Sequence, residues 1–135
     1  MNFLSAEQIL FIHDRLIRAT DGSHGVRDLN GLLAAVGHPQ ATFEGRDLYP
    51  DISHKAAALI DSLIRNHPFL DGNKRTGLAA AGLFILRNGL RLVADQGEAV
   101  ELALAIARAE LGIEEIAAWF EAHTKSFGSP RDAQE

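Results

Sequence analysis

The chain contains no cysteine. A disulfide framework, a thiolate nucleophile and a cysteine zinc site are therefore excluded. No apolar run reaches the ~18 residues needed to span a bilayer. The first five residues lack the basic and apolar regions of a signal peptide. We therefore expect a cytoplasmic protein that does not associate with a membrane.

An excess of positive charge is also missing. Lys and Arg number 13 against 18 Asp and Glu, which gives a net charge of −5. This balance argues against direct nucleic-acid binding, although it permits one local basic site. The six histidines include no pair at the spacing of helical metal ligands, which argues against a histidine zinc site. Because no repeat or linker divides the chain, we expect one domain over 1–124 and a disordered polar tail over 125–135.

The apolar positions that are present predict a chain that is almost entirely helical. Its 135 residues and 47% hydrophobic content suit one globular domain. Ser5 and Gln8 form a capping-box pattern, and apolar residues follow at helical spacing. These residues are Ile9, Ile12, Leu16 and Ala19. Asp28 and Asp51 can cap two further helices.

The segment 38–50 interrupts the helical pattern, and we expect a long loop or a hairpin there. A helix is predicted over 73–88. Its interior, 77–86, is apolar on all sides, as is typical of a central buried helix. Two more helices are predicted to begin at Asp95 and near Ile113.

The segment His67–Thr76 (the signature segment) lies directly before and within the start of that apolar helix. Gly72 lets the backbone come close to a ligand. A helix N-terminus offers free N–H groups and a partial positive charge. Lys74 and Arg75 fall in the first turn, where cations are unfavourable unless an anion binds nearby. The segment therefore predicts a phosphate site that includes Gly72, Asn73, Lys74 and Arg75.

The other polar side chains of the segment suit chemistry at a phosphate. Asp71 can bind Mg²⁺, an ion commonly held by one or two carboxylates together with substrate phosphates. Asn73 can orient a phosphate oxygen or another side chain. His67 can accept a proton from an attacking hydroxyl near neutral pH. Phe69 is expected to anchor the loop between helices.

Each of these residues also has a simpler interpretation. His67 alone would suit a capping or core histidine, and Asp71 alone would suit the N-cap of the helix. Lys74 and Arg75 alone would suit a solvated helix face. The run 72–76 also resembles a P-loop, but the earlier glycine and the preceding strand are missing. The combination of all these residue types within ten positions favours a functional site.

The same segment resembles the Fic/Doc family, whose motif reads H-x-F-x-[D/E]-G-N-G-R-x-x-R. The matching residues are His67, Phe69, Asp71, Gly72, Asn73 and Arg75. Lys74 replaces the second glycine and Leu78 replaces the final arginine, which is the pattern of the Doc branch. The resemblance extends over about residues 3–124. It implies an all-α Fic/Doc-type helical bundle around a central buried helix, with a short flap within 38–50.

The resemblance to the Doc branch also implies an activity. It implies the toxin of a type II toxin–antitoxin module, which transfers the γ-phosphate of ATP to a Ser or Thr hydroxyl of elongation factor Tu. His67 would act as the general base and Asp71 would bind Mg²⁺. Asn73, Lys74 and Arg75 would hold the phosphates. Two alternatives remain: AMP transfer by the same site, and a non-catalytic module that binds its antitoxin and acts as a co-regulator.

Inhibition is expected to come from another chain. Many Fic proteins carry an inhibitory helix with the pattern [S/T]-x-x-x-E-[G/N]. No Ser or Thr in this chain is followed by Glu at the fourth position. The resemblance therefore implies a separate cognate antitoxin that inserts a helix into a groove on this protein.

Overall fold

Local sequence signals begin most of the helices. Ser5 Oγ accepts from the Gln8 amide at 3.2 Å, and Gln8 Oε1 accepts from the Ser5 amide at 2.8 Å. Asp28, Asp51 and Asp95 each accept a hydrogen bond from an amide three residues ahead. Each such cap is worth ~1 kcal/mol of helix stability. The predicted helix starts at these four positions are confirmed.

The computed structural model describes residues 1–126, which form six α-helices, one short 3₁₀ turn and two small antiparallel pairs of strands. The helices are α1 (Ala6–Thr20), α2 (Leu29–Gly37), α3 (Ile52–Arg65), α4 (Asn73–Arg87), α5 (Gln96–Ala107) and α6 (Ile113–Ala122). The strands are β1 (Thr42–Phe43), β2 (Arg46–Asp47), β3 (Leu90–Leu92) and β4 (Thr124–Ser126). This architecture confirms the mostly helical fold, and β1 and β2 form the expected hairpin.

The central helix is α3 and not α4. Nine of the 14 residues of α3 are buried, and α3 packs most extensively against α4 and α6. The prediction that α4 is buried on all sides was wrong, because Leu86 is 47% exposed and Leu78 and Leu83 are only partly buried. An apolar composition allowed full burial of α4, but only one face of that helix meets α3. Gly77 lies on that face, where a Cβ atom would lie 3.0 Å from Ile64 Cγ1.

The buried stripe of α1 also differs from the prediction. Its buried residues are Ile9, His13 and Ile17, whereas Ala19 is exposed. Because the middle residue of this stripe, His13, is polar, a search for apolar residues at helical spacing does not find the stripe. As a result, α1 directs a histidine towards the segment that precedes α4.

The strand β4 pairs with β3, with Leu90 opposite Ser126 and Leu92 opposite Thr124. The predicted tail was placed from residue 125 onward, but Lys125 and Ser126 belong to β4. The remainder of that tail lies outside the described residues. Within residues 1–126, none of the helices combines the length and the apolar character that a bilayer crossing requires.

Candidate active site

The segment 67–72 forms a loop that is held by backbone contacts with residues 25–28. The amides of Arg27 and Asp28 donate to the Pro68 carbonyl at 2.7 and 3.0 Å, and the Leu70 amide donates to the Gly25 carbonyl at 3.1 Å. The Arg27 guanidinium donates to the carbonyls of His67 and Asn66, both at 2.7 Å. These contacts fix the loop although most of its side chains do not take part.

His67 is exposed and has a φ of 47°. This left-handed conformation is uncommon for a residue with a Cβ atom. Because the His67 carbonyl accepts from Arg27, the main chain holds the residue while its imidazole remains open to solvent. The prediction of a core or capping histidine is therefore not met, and the imidazole is accessible to a substrate.

Phe69 anchors the loop, as predicted. Its ring is 1% exposed and stacks on His13 with 3.8 Å between centroids. The Asn73 amide spans the loop, because its Oδ1 accepts from the Phe69 amide and its Nδ2 donates to the Phe69 carbonyl, both at 3.0 Å. Asn73 therefore shapes the loop through its side chain and leaves its own backbone N–H at the start of α4.

Asp71 is not the N-cap of α4. That position belongs to Gly72, which has a left-handed φ of 80° and no side chain to bond the first turn. The Asp71 carbonyl accepts from His13 Nε2 at 2.8 Å, and its carboxylate Oδ2 accepts from the Ser23 amide at 3.1 Å. The carboxylate is exposed and faces the cavity in front of α4.

A cavity of about 350 Å³ lies at the N-terminus of α4. Its lining residues are Ile17, Thr20, Gly22, Asp71, Gly72, Asn73, Lys74 and Arg75. Ligand pockets commonly fall in the range of ~300–1,000 Å³. The cavity brings together the five predicted residues 71–75, whereas His67 is not among its lining residues. Another part of the cavity wall is formed by Ile17 and Thr20 of α1 and by Gly22 of the turn after it. That part was not predicted.

The start of α4 is positively charged in a way that the other described helices are not. Of the six helices in residues 1–126, only α4 has neither a side-chain cap nor an acidic residue in its first turn. Lys74 and Arg75 are exposed and pair with no carboxylate within those residues. Two cations beside free N–H groups are favourable when an anion lies among them.

Asp71 fits a magnesium ion that is shared with phosphates. Residues 1–126 contain no group of three or more His, Cys, Asp or Glu side chains arranged to hold a metal. Side chains of residues 1–126 therefore do not supply a complete set of metal ligands by themselves. One carboxylate beside an anion-binding helix start matches the donor set of Mg²⁺ bound to a nucleotide, in which water and phosphates supply the other oxygens.

The hairpin β1–β2 projects from the body, and residues 42–48 are all exposed. Buried groups hold its base. Lys55 of α3 is 1% exposed; its Nζ pairs with Asp47 Oδ2 at 3.1 Å and donates to the Tyr49 carbonyl. His38 forms 2.6 Å hydrogen bonds with Ser62 Oγ and with the Tyr49 hydroxyl. Burial, assisted by the charge of Asp61, raises the pKa of Tyr49, so its hydroxyl remains protonated.

Comparisons with known proteins give the family of this fold and site. Residues 3–85 match the model of the Fic/DOC family. The protein named Toxin Doc from Mycolicibacterium smegmatis is 54% identical over 77 residues, which cover 57% of this chain and 59% of that protein. Protein kinase doc from Escherichia phage P1 is 32% identical over 117 residues, which cover 87% of this chain and 91% of that protein. The chain belongs to the Fic/DOC family.

Proposed function

We propose that this protein is the toxin of a toxin–antitoxin module and transfers the γ-phosphate of ATP to a protein hydroxyl. The main support is the start of α4, where Lys74 and Arg75 flank free N–H groups and Asp71 faces the same cavity. The phage relative named Protein kinase doc is similar over most of both chains. The Ser or Thr target that we propose lies on a translation factor, elongation factor Tu.

Two substitutions within the motif favour phosphate transfer over AMP transfer. Where AMP-transferring Fic proteins have a glycine and a second arginine, this chain has Lys74 and Leu78. Leu78 is partly buried against the core and supplies no cation to a nucleotide. Lys74 adds a cation at the helix start. We infer that the nucleotide lies with its terminal phosphate towards the target.

Each residue of the site would have its own role in the reaction. His67 accepts the proton of the target hydroxyl as the hydroxyl oxygen attacks the γ-phosphorus. The bond between that phosphorus and the β,γ-bridging oxygen breaks, and ADP leaves with the bridging oxygen. Lys74, Arg75 and the first N–H groups of α4 bind the phosphate oxygens and offset the charge that develops on them. Asp71 would hold Mg²⁺, which screens the charge on the β- and γ-phosphates when it is bound. Gly72 leaves the backbone room to approach the anion.

The hairpin β1–β2 and a second protein complete the proposal. The exposed hairpin is the flap that aligns the target segment by strand pairing. A cognate antitoxin inhibits the site by inserting a helix into a surface groove, since residues 1–126 include no inhibitory [S/T]-x-x-x-E helix.

Labelled ATP distinguishes the candidate activities. The protein is incubated with elongation factor Tu and Mg²⁺, together with either γ-³²P-ATP or α-³²P-ATP. Transfer from γ-labelled ATP alone is the expected result. Transfer from α-labelled ATP would replace the proposal with AMP transfer. Absence of both labels, with purified target and intact nucleotide binding, would favour the non-catalytic module.

A further inference from the structure

The turn that follows α1 presses against the carboxylate of Asp71. A Cβ atom added to Gly22 would lie 2.6 Å from Asp71 Oδ2 and 3.5 Å from Asp71 Cγ. Contacts below about 3 Å between such atoms are repulsive, so an added methyl group must displace the carboxylate. The end of Ile17, at 2.9 Å, would also have to move. Both obstacles are ends of flexible side chains and not backbone.

Position 22 requires glycine because of the limited space around it and not because of its backbone conformation. The backbone at Gly22 does not adopt a positive φ, unlike that of Gly25 or Gly72. Alanine can therefore take the same backbone conformation without strain. A Gly22→Ala variant is expected to fold while its single added methyl group acts on Asp71.

The same turn also bonds the carboxylate. The Ser23 amide donates to Asp71 Oδ2 at 3.1 Å, and Oδ1 accepts no hydrogen bond within the described residues. His13, which belongs to α1, donates through Nε2 to the Asp71 carbonyl at 2.8 Å. The first helix and its turn therefore fix both the main chain and the side chain of Asp71.

We propose that Gly22 and Ser23 are positioning residues for metal binding. Gly22 provides the space that the Asp71 carboxylate occupies, and the Ser23 amide holds Oδ2 so that the carboxylate keeps one orientation beside the cavity. This inference rests on the proposed function, since it requires that Asp71 binds a cation with the nucleotide. It assigns a role in cofactor affinity to a turn that lies outside the signature segment.

Calorimetry of nucleotide binding tests the proposal without measuring transfer. ATP is titrated into wild type, Gly22→Ala, Asp71→Ala and Gly37→Ala, once with Mg²⁺ and once with EDTA. Gly37→Ala is the matched control, because a Cβ atom there meets nothing within 4 Å. We expect Gly22→Ala to weaken Mg²⁺-ATP binding by ~10–100-fold, as is usual when a group supporting a metal ligand is lost. The affinity of Gly22→Ala for ATP in EDTA should match that of wild type.

Each other outcome overturns a different statement. Wild-type Mg²⁺-ATP affinity in Gly22→Ala, with weakened binding in Asp71→Ala, overturns the positioning role and leaves the proposed function standing. Wild-type affinity in Asp71→Ala overturns the assignment of the metal to that carboxylate, and the positioning role with it. Equal losses with Mg²⁺ and with EDTA in Gly22→Ala mean general damage to the cavity and also overturn the inference. Thermal unfolding of each variant verifies that it is folded.

Discussion

His67 is held by its main chain and not by its side chain, so its replacement tests chemistry with little effect on folding. Arg27 and the backbone of residues 25–28 hold the loop around it, and these contacts survive in His67→Ala. Loss of a general base typically slows a reaction by ~10²–10⁴-fold. We expect expression of wild type to arrest growth and expression of His67→Ala to leave growth unaffected. An unchanged melting temperature is the control, and growth arrest at the wild-type level would contradict the role of His67.

Thr76 ends the signature segment but does not face the cavity. It is 0% exposed, and its hydroxyl has no hydrogen-bond partner within the described residues. A buried polar group without a partner costs stability. We expect Thr76→Val, which keeps the shape, to raise the free energy of unfolding by up to ~1 kcal/mol in urea denaturation. Thr76→Ala, which leaves a cavity, should lower it. A loss of stability in Thr76→Val would show that the hydroxyl has a partner.

The grouping of residues 71–75 around one cavity could be predicted because these residues are contiguous in sequence and lie at a helix start. His13 and Ser23 could not, since they lie 58 and 48 positions from Asp71 and reach it only through tertiary packing. The one signal for His13 was its position four residues from both Ile9 and Ile17. For Gly22, sequence indicated a turn and could not indicate the carboxylate beside it.

At the scale of elements, the hairpin β1–β2 depends on one buried cation. Lys55→Met keeps most of the side-chain volume but leaves the Tyr49 carbonyl and Asp47 without their donor. Hydrogen bonds to a charged group contribute ~1.5–3 kcal/mol, so the hairpin should open more often once those from Lys55 are lost. We expect the Leu48 amide, which donates to Ala41 at 2.8 Å, to exchange with solvent roughly 10–100-fold faster.

Arg46→Met is the matched control for Lys55→Met, because it removes an exposed cation from the hairpin itself and leaves the anchor intact. Its Leu48 amide should exchange at the wild-type rate. Equal exchange rates in Lys55→Met and wild type would contradict the anchoring role of Lys55.

Helix starts were predicted well because a cap is local: Ser5, Asp28, Asp51 and Asp95 each bond an amide three residues ahead. Burial was predicted less well. The sequence of α4 is apolar on all sides, yet α3 occupies the centre and includes the buried Lys55. Which helix lies in the middle depends on the arrangement of all six, and no single segment encodes that arrangement.

At the scale of the whole molecule, two histidines join α6 to its neighbours. His54 of α3 lies 2.9 Å from Glu114 of α6 and 2.8 Å from Asp51, and the hydrogen bond with Glu114 and then that with Asp51 raise the pKa of His54. Beyond the other end of α6, His123 lies 2.9 Å from Glu98 of α5. The hydrogen bond with the Trp119 carbonyl is the largest cause of the raised pKa of His123.

A raised histidine pKa means that the folded state favours the protonated form. This stabilisation is complete below the ordinary histidine pKa of ~6.5 and is lost as pH rises through the higher folded values. We therefore expect the free energy of unfolding to include a component that falls across the pH range above the ordinary histidine pKa. Because Glu114 is 86% exposed, solvent screens its interaction with His54. The contribution of His54 to the free energy of unfolding is therefore less than about 1 kcal/mol.

Urea denaturation across this pH range measures the effect. The double variant His54→Gln with His123→Gln should have a flatter pH dependence than wild type, and each single variant should lie between the two. A double variant with the full wild-type slope would assign that slope to other groups.

The contact between α3 and α6 has a consequence for the timing of activity during synthesis. All residues that line the cavity, and the histidine that supports it, lie within positions 13–75, so they leave the ribosome first. The helix α6, which packs on α3, extends to Ala122 and emerges much later. A nascent chain can therefore contain the complete signature before its central helix is enclosed. We therefore expect the site to reach its folded geometry only after α6 has left the ribosome.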